Sequence, residues 1–377
     1  MMAIISLLLS ALVIMQGIKP QKISKLWKII LSAITLLAAF KFYIQRIFGG
    51  AMFAAPEIPP WILLVTTWLF ALLMFYALFL LVYGIVRKCV IFICRRKNKT
   101  PGRFFTEPLW RAAGIIPAAI LVTLGMYGGL KNPEVRHYEL SFPDLPDKFD
   151  GMKIVHLSDI HADPFTGESK LQYIVEVSNS LAPDMIVITG DFVDGRSAVR
   201  EKALRHLAGL QAPFGVYGVP GNHEYYSGYT RWMEFLADNN VVMLENRHVM
   251  LAEDFALGGV TDPAAAKRGG ELPDIGAAFE NVPENSFRLL LAHQPKLAAG
   301  AAEKKVDLQL SGHTHGGMIY GMDLLVGCFN HGLVSGIYKV GEMKLVISNG
   351  TGIWNGFPLR LGRPAEIVVL TLRKSVK

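Results

Sequence analysis

The sequence predicts two unlike parts, a bundle of four transmembrane α-helices over residues 1–130 followed by an α/β domain. Three observations carry this. Long apolar runs crowd the first third of the chain. Short β-branched runs alternate with helical periods in the rest, and five of those runs end on carboxylate, amide or imidazole side chains. Charge divides at the same place. Residues 1–130 carry 14 Lys/Arg against two acids, Glu57 and Glu107, whereas residues 131–377 carry 24 against 29. The net +7 therefore comes from the hydrophobic part, which argues against a nucleic-acid surface.

Four runs are candidate spans. Residues 1–18 hold no charge, 29–44 hold only Lys41, 61–86 hold none, and 112–130 carry Pro117. A helix crosses a bilayer with about 20 apolar residues and about 17 at the least. The second run falls just short, and Lys41 is expected to snorkel to the interface. A cleaved signal peptide is disfavoured, because no basic stretch precedes the first run and no A-x-A-like site follows it.

Basic loop residues set the orientation. Lys19, Lys22, Lys25 and Lys28 fill the first loop. Arg87, Lys88, Arg95, Arg96, Lys97, Lys99, Arg103 and Arg111 fill the third, which also holds Cys89 and Cys94. The second loop has only Lys41 and Arg46. Four spans put both basic loops in the cytoplasm and everything after Leu130 outside it. The expectation is a multi-pass protein of the cytoplasmic (inner) membrane with an extracytoplasmic, periplasmic domain. Since Cys328 is the one remaining cysteine, neither a disulfide framework nor a Cys-based zinc site can be built.

Residues 131–150 read as a linker and first strand, and 151–377 as the α/β domain. Runs such as KIVHLSDIH, MIVITGDFVD and GVYGVPGNHE alternate with the helical segments Lys170–Leu181 and Ala198–Leu210. In open α/β sheets the ligand crevice lies past the C-terminal strand ends. Asp159 and His161 follow KIVHLS, and Asp191 and Asp194 follow MIVIT. Asn222, His223 and Glu224 follow GVYGVP, His293 follows SFRLLLA, and His313 and His315 follow VDLQLS. These groups are expected on one edge of one sheet. Residues two apart in extended chain point the same way, so Asp159/His161 and His313/His315 can each aim two ligands into the crevice. The donors are oxygen and nitrogen with no thiolate, which suits two divalent metal ions of the Mn, Fe or Zn type. His137, His206 and His248 read as surface or satisfied core residues, His156 as packing, and His331 is left open.

The ordered series DIH, GDFVD, GNHE, AHQP and GHTHGG, from Asp159 to Gly317, resembles the calcineurin-like metallophosphoesterase superfamily. The segment SNGTGIWNGFPLRLGRPAEI is similar to its membrane-associated bacterial branch. The resemblance implies a two-sheet sandwich flanked by helices. It implies one metal on Asp159, His161 and His315, another on Asn222, His293 and His313, and Asp191 bridging. His223 would stabilise charge or protonate the leaving oxygen, oriented by Asp194, and a metal-bound hydroxide would be the nucleophile. The implied activity is hydrolysis of a phosphoester or pyrophosphate, with a phosphorylated small molecule or lipid-linked substrate and membrane lipids as partners. Tyr225 and Tyr226 are candidates for the pocket wall. Trp354, Phe357 and Arg360 lie in a Gly-rich loop, Arg360 as a phosphate contact or, better, a surface ion pair. Two alternatives stand: a nucleotide-diphospho-lipid pyrophosphatase on the cytoplasmic face, and a transmembrane scaffold or channel with a sensory domain.

Overall fold

The computed structural model describes residues 2–48 and 57–375; Met1 and residues 376–377, which the predicted first span and α/β domain include, lie outside the described residues. The chain divides into two units, one ending at Tyr127 and the other running from Gly128.

The first unit is helical. Helix α1 (Met2–Leu12) continues as a π-turn, Val13–Ile18. Helix α2 (Lys25–Ala39) and helix α3 (Lys41–Ile47) meet at a 68° bend. Helix α4 (Pro60–Arg96) is followed by the short α5 (Arg103–Thr106). Helices α6 (Leu109–Ala113) and α7 (Ile115–Leu130) form one apolar stretch of 22 residues. Among the described residues two helices, Pro60–Arg96 and Leu109–Leu130, are long and apolar enough to cross a membrane, or three if the bent pair is one span, against the four expected.

Two expectations change here. The second run is not a straight helix with a snorkelling lysine. The helix breaks at Phe40, and Lys41 turns inward, 1% exposed, with Nζ 5.0 Å from the Phe42 ring centre and 5.8 Å from that of Phe70. Cys89 and Cys94 are not in a loop, because α4 runs on to Arg96. The stretch from Arg87 to Arg96 contains no Gly or Pro to stop it, and Arg95 and Arg96 suit the negative end of the helix dipole.

The second unit contains two six-stranded sheets. The strands are β1 (Glu134–Phe142), β2 (Lys153–Leu157), β3 (Met185–Thr189), β4 (Val216–Val219), β5 (Val242–Met243) and β6 (Arg247–Ala252). They continue with β7 (Phe255–Gly259), β8 (Phe287–Leu291), β9 (Leu308–Ser311), β10 (Gly336–Val340), β11 (Met343–Ile347) and β12 (Glu366–Lys374). The orders are β1-β12-β2-β3-β4-β5 and β10-β11-β9-β8-β7-β6. β2 to β5 run parallel, as do β11, β9, β8 and β7.

Alternation along each strand builds four layers. Ile154, Met185 and Val187 face Leu289, Leu291, Leu308 and Leu310 between the sheets. Their neighbours Val155, Leu157, Ile186 and Ile188 pack outward on α8 (Glu168–Ser180), α9 (Ser197–Leu204) and α11 (Tyr229–Asp238). On the far face Leu290, Leu345 and Ile347 meet α12 (Ile275–Ala278) and α13 (Ala298–Glu303). With both faces covered, the strands read as continuous apolar runs. α10 (Asn222–Ser227) follows β4, and α14 (Met322–Phe329) follows β9. The predicted two-sheet α/β architecture with flanking helices is present.

Candidate metal centre

The site lies where the C-terminal ends of two sheets meet, not on one edge of one sheet. β2, β3 and β4 deliver Asp159, His161, Asp191, Asp194, Asn222 and His223, while β8 and β9 of the other sheet deliver His293, His313 and His315. Nor is the chain extended at these donors. Asp159 (φ 50), His161 (φ 47), Asp191 (φ 54), His313 (φ 69) and His315 (φ 50) all sit in the left-handed region. That conformation costs a non-glycine residue on the order of 1 kcal/mol or more, and it clusters at functional sites. Backbone bonds hold it: Asp159 N–H donates to Gly190 O at 3.0 Å, and His161 N–H to Asp191 O at 2.9 Å.

Three groups of donors converge: Asp159, His161 and His315; Asp191, His293 and His313; and His161, Asp194 and His223. In the first, His161 Nε2 and His315 Nε2 are 3.1 Å apart, and Asp159 Oδ1 is 3.9 and 3.4 Å from them. In the second, His293 Nδ1 donates to Thr189 O at 2.7 Å, which leaves Nε2 facing the site. That Nε2 lies 3.3 Å from Asp191 Oδ2, 3.2 Å from Asn222 Oδ1 and 3.2 Å from His313 Nδ1. Asp191 Oδ2 also lies 3.6 Å from His161 Nε2, so one carboxylate oxygen stands between both groups. Buried nitrogen and oxygen acceptors converging in this way fit divalent cations.

The buried charges at the site act on one another. Burial pushes the His293 pKa down, but Asp191 outweighs it and holds the ring well above its ordinary value. For Asp191 burial pushes up and His293 and His223 prevail, keeping it well below the usual carboxylate range. His313 is driven down to about 3 by burial and the charge of His293, which favours its neutral, ligating form.

His223 Nδ1 hydrogen-bonds Asp194 Oδ1, and its Nε2 is 3.9 Å from Asp191 Oδ2. Burial disfavours the imidazolium, yet Asp194 and Asp191 raise the His223 pKa to about 9. His223 opens onto a cavity of about 470 Å³ lined also by Tyr226, Lys267, Gln294, Lys296 and Trp354. Tyr226 and Trp354 flank the His223 ring, with ring centres 5.4 and 6.4 Å away.

Other candidates fall elsewhere. Tyr225 is buried and stacks on Tyr229 at 4.1 Å, so it packs rather than walls the pocket. Phe357 is buried. His156 hydrogen-bonds Thr189 Oγ1 at 2.8 Å in the core, His137 and His331 are exposed, and His206 is half-buried. His248 bonds Ala278 O at 3.0 Å.

Arg360 is neither a surface ion pair nor a pocket residue. It is 3% exposed, and Nη2 donates to Asn349 O at 2.7 Å and Gly352 O at 2.9 Å. Nη1 donates to His315 O at 3.3 Å, and Nη2 lies 3.3 Å from His315 Nδ1. The guanidinium thus braces the backbone behind His315, because it joins the carbonyl of His315 to those of Asn349 and Gly352 in the loop after β11.

Glu224 had no assigned role. Its buried carboxylate accepts from Gly221 N–H (2.7 Å), Asp191 N–H (3.0 Å), Phe192 N–H (2.8 Å) and Val193 N–H (3.3 Å). It ties the Asp191 loop to the Asn222–His223 turn. The one sequence signal was an acid next to a motif histidine. Lys267 and Lys296 carried no signal, since exposed lysines are common.

A sandwich with His and Asp donors at its strand ends and a cavity beside them suits a metal-dependent hydrolase. The comparisons narrow this. Residues 152–317 match the model of the calcineurin-like phosphoesterase family. A Danio rerio protein named "Transmembrane protein with metallophosphoesterase domain" is 30% identical, over 84% of this chain and 75% of its own. An uncharacterised metallophosphoesterase of Campylobacter jejuni is 32% identical, over 81% and 82%. One of Helicobacter pylori (strain 26695) is 39% identical, over 66% of each chain. The chain belongs to the calcineurin-like phosphoesterase family and is a metal-dependent phosphoester hydrolase with a divalent metal centre.

Proposed function

We propose that the protein is a membrane-anchored phosphohydrolase whose centre holds two divalent ions of the Mn, Fe or Zn type. The observation that carries the count of two is the position of Asp191 Oδ2, 3.6 Å from His161 Nε2 and 3.3 Å from His293 Nε2. Asp159, His161 and His315 would hold one ion and Asn222, His293 and His313 the other, with the Asp191 carboxylate available to both. When bound, the ions supply Lewis-acid charge and activate water for attack at phosphorus.

The chain's own groups do the rest. Asp194 fixes the His223 ring through Nδ1, so Nε2 carries its proton toward the cavity. There it neutralises a phosphoryl oxygen or delivers the proton to the leaving group. Lys267 and Lys296 attract the anionic substrate, and Tyr226 and Trp354 narrow the space around His223.

The substrate is a phosphoester or pyrophosphate presented near a bilayer, with a lipid-linked one favoured by the apolar helices of the same chain. We place the catalytic unit outside the cytoplasm. Four crossings by α1 with its π-turn, the bent α2–α3 pair, α4 and the Leu109–Leu130 helix would keep the basic residues of the first and third connections on the cytoplasmic side. A fluorescent protein that matures only in the cytoplasm, fused after residue 377, tests the side. A dark, well-expressed fusion is expected, and a bright one would overturn it. Hydrolysis of p-nitrophenyl phosphate by the purified full chain, absent after chelation and restored by Mn²⁺, tests the activity.

A further inference from the structure

We propose that α14 is an interfacial helix that lays the catalytic unit on a bilayer surface; the inference rests on the membrane-anchored reading above. Leu324 (77% exposed), Leu325 (59%) and Phe329 (77%) stand out from α14 together with exposed Cys328. Their spacing of i, i+1, i+4, i+5 makes one stripe of the helix. Tyr320, 66% exposed, precedes the helix. The one charge in α14, Asp323, is paired with Arg363 at 3.0 Å, and Arg363 also lies over the Tyr320 ring. A large apolar stripe flanked by a compensated charge and an aromatic residue suits the headgroup boundary.

Continuity within this unit names the occupant. The last turn of α7 packs on the 353–362 loop so closely that a Cβ on Gly128 would stand 2.5 Å from Arg360 O, and one on Gly129 2.5 Å from Pro358 O. That loop then pairs with the entry to α14: Leu361 N–H donates to Met318 O at 2.9 Å, and Tyr320 N–H to Leu361 O at 3.1 Å. The stripe is therefore built one short backbone ladder away from the end of a helix long enough to cross a membrane. A bilayer surface lies where such a helix ends, so lipid is what the stripe meets.

The stripe is also coupled to the chemistry. Gly316 (φ 61) and Gly317 (φ 74) turn the chain from His315 into α14, and a Cβ on Gly317 would meet Asp323 Cα at 2.5 Å. Docking α14 on the surface thus sets the metal-centre loop beside phosphates that belong to the bilayer.

The test uses the full chain in phosphatidylcholine–phosphatidylglycerol vesicles. Cys89→Ser and Cys94→Ser leave Cys328 for an environment-sensitive fluorophore. The control carries the label at Glu253→Cys, on the exposed β6–β7 turn, with Cys328→Ser as well. Brominated-acyl lipids are expected to quench the Cys328 label at least threefold more than the control. Equal quenching at both sites would overturn the inference. So would a Cys328 label that ignores brominated lipid but self-quenches with protein density, the mark of a contact between two copies. In a second arm, Leu324→Glu/Phe329→Glu is expected to lower hydrolysis of a vesicle-embedded phosphoester at least fivefold while leaving p-nitrophenyl phosphate turnover unchanged. Equal loss on both substrates would count against it. Failure of wild-type turnover would instead overturn the phosphohydrolase reading, and the quenching result would still decide this one.

Discussion

His161 Nε2 and His315 Nε2 face each other at 3.1 Å, although the residues are 154 apart in sequence and come from different sheets. Two imidazole nitrogens with Asp159 Oδ1 within 3.9 Å of both form a site that wants a cation. A ligand that binds only the native state stabilises it by about 4 kcal/mol when present at 1,000 times its Kd. Dialysis against a chelator is therefore expected to lower the thermal midpoint of the catalytic unit by roughly 10 °C. Mn²⁺ or Zn²⁺ should restore it, as followed by calorimetry of the detergent-solubilised chain.

Asp191→Asn keeps the shape of the shared carboxylate and removes its charge, and His223→Ala removes the proton donor. Each should lower kcat by roughly 10²–10⁴-fold with the circular dichroism unchanged. Full activity in both variants would sink the assigned roles.

Glu224→Gln tests the clamp. Its carboxylate accepts four backbone N–H groups, and an amide presents a donor to at least one of them. A loss of roughly 2–3 kcal/mol in urea unfolding is expected. Metal affinity should fall with it, because Asp191 and Asn222 lie on the two loops so joined.

The His223–Asp194 pair gives the metal-free protein a pH signature. Burial lowers the His223 pKa, but Asp194 and Asp191 lift it from 6.5 to about 9. Its stabilising contribution is full below 6.5 and lost as pH rises through 9. For Asp194 burial acts upward, yet His223 and His161 bring it from 3.8 to about 2, so its contribution is full above 3.8 and lost as pH falls through 2. Between pH 6.5 and 9 the chelated protein should lose on the order of 3 kcal/mol, and Asp194→Asn should flatten that slope. Denaturation midpoints across this range supply the check.

Arg360→Met would leave the carbonyls of Asn349 and Gly352 without their Arg360 donor in a buried place and remove one of the two donors to His315 O, which Met318 N–H also meets at 3.0 Å. A destabilisation of about 3 kcal/mol or more is expected, with weaker metal binding through displaced His315. Arg360→Lys, whose single ammonium cannot serve both segments as the guanidinium fork does, should recover only part of the stability.

The converging donors were legible because each follows an apolar strand run, and strand ends are where parallel sheets gather polar groups. Asp159, His161, His313 and His315 do not alternate along extended chain; they are turned inward by left-handed backbone at the strand ends. Such local conformations depend on tertiary hydrogen bonds that no short motif displays. The same limit hid Arg360 and Glu224, whose partners are main-chain atoms far away in sequence. The bend at Phe40 was hidden because no Gly or Pro stands there to announce it. The helical runs themselves, set by hydrophobicity and length, were plain.

Metal content by inductively coupled plasma mass spectrometry, read beside turnover of p-nitrophenyl phosphate, tests the two-ion centre most directly. Two divalent ions per wild-type chain are expected, one or fewer in Asp191→Asn, and two in a catalytically crippled His223→Ala. A wild-type chain that is fully active with a single ion, or an Asp191→Asn variant that keeps both ions and full turnover, would contradict it.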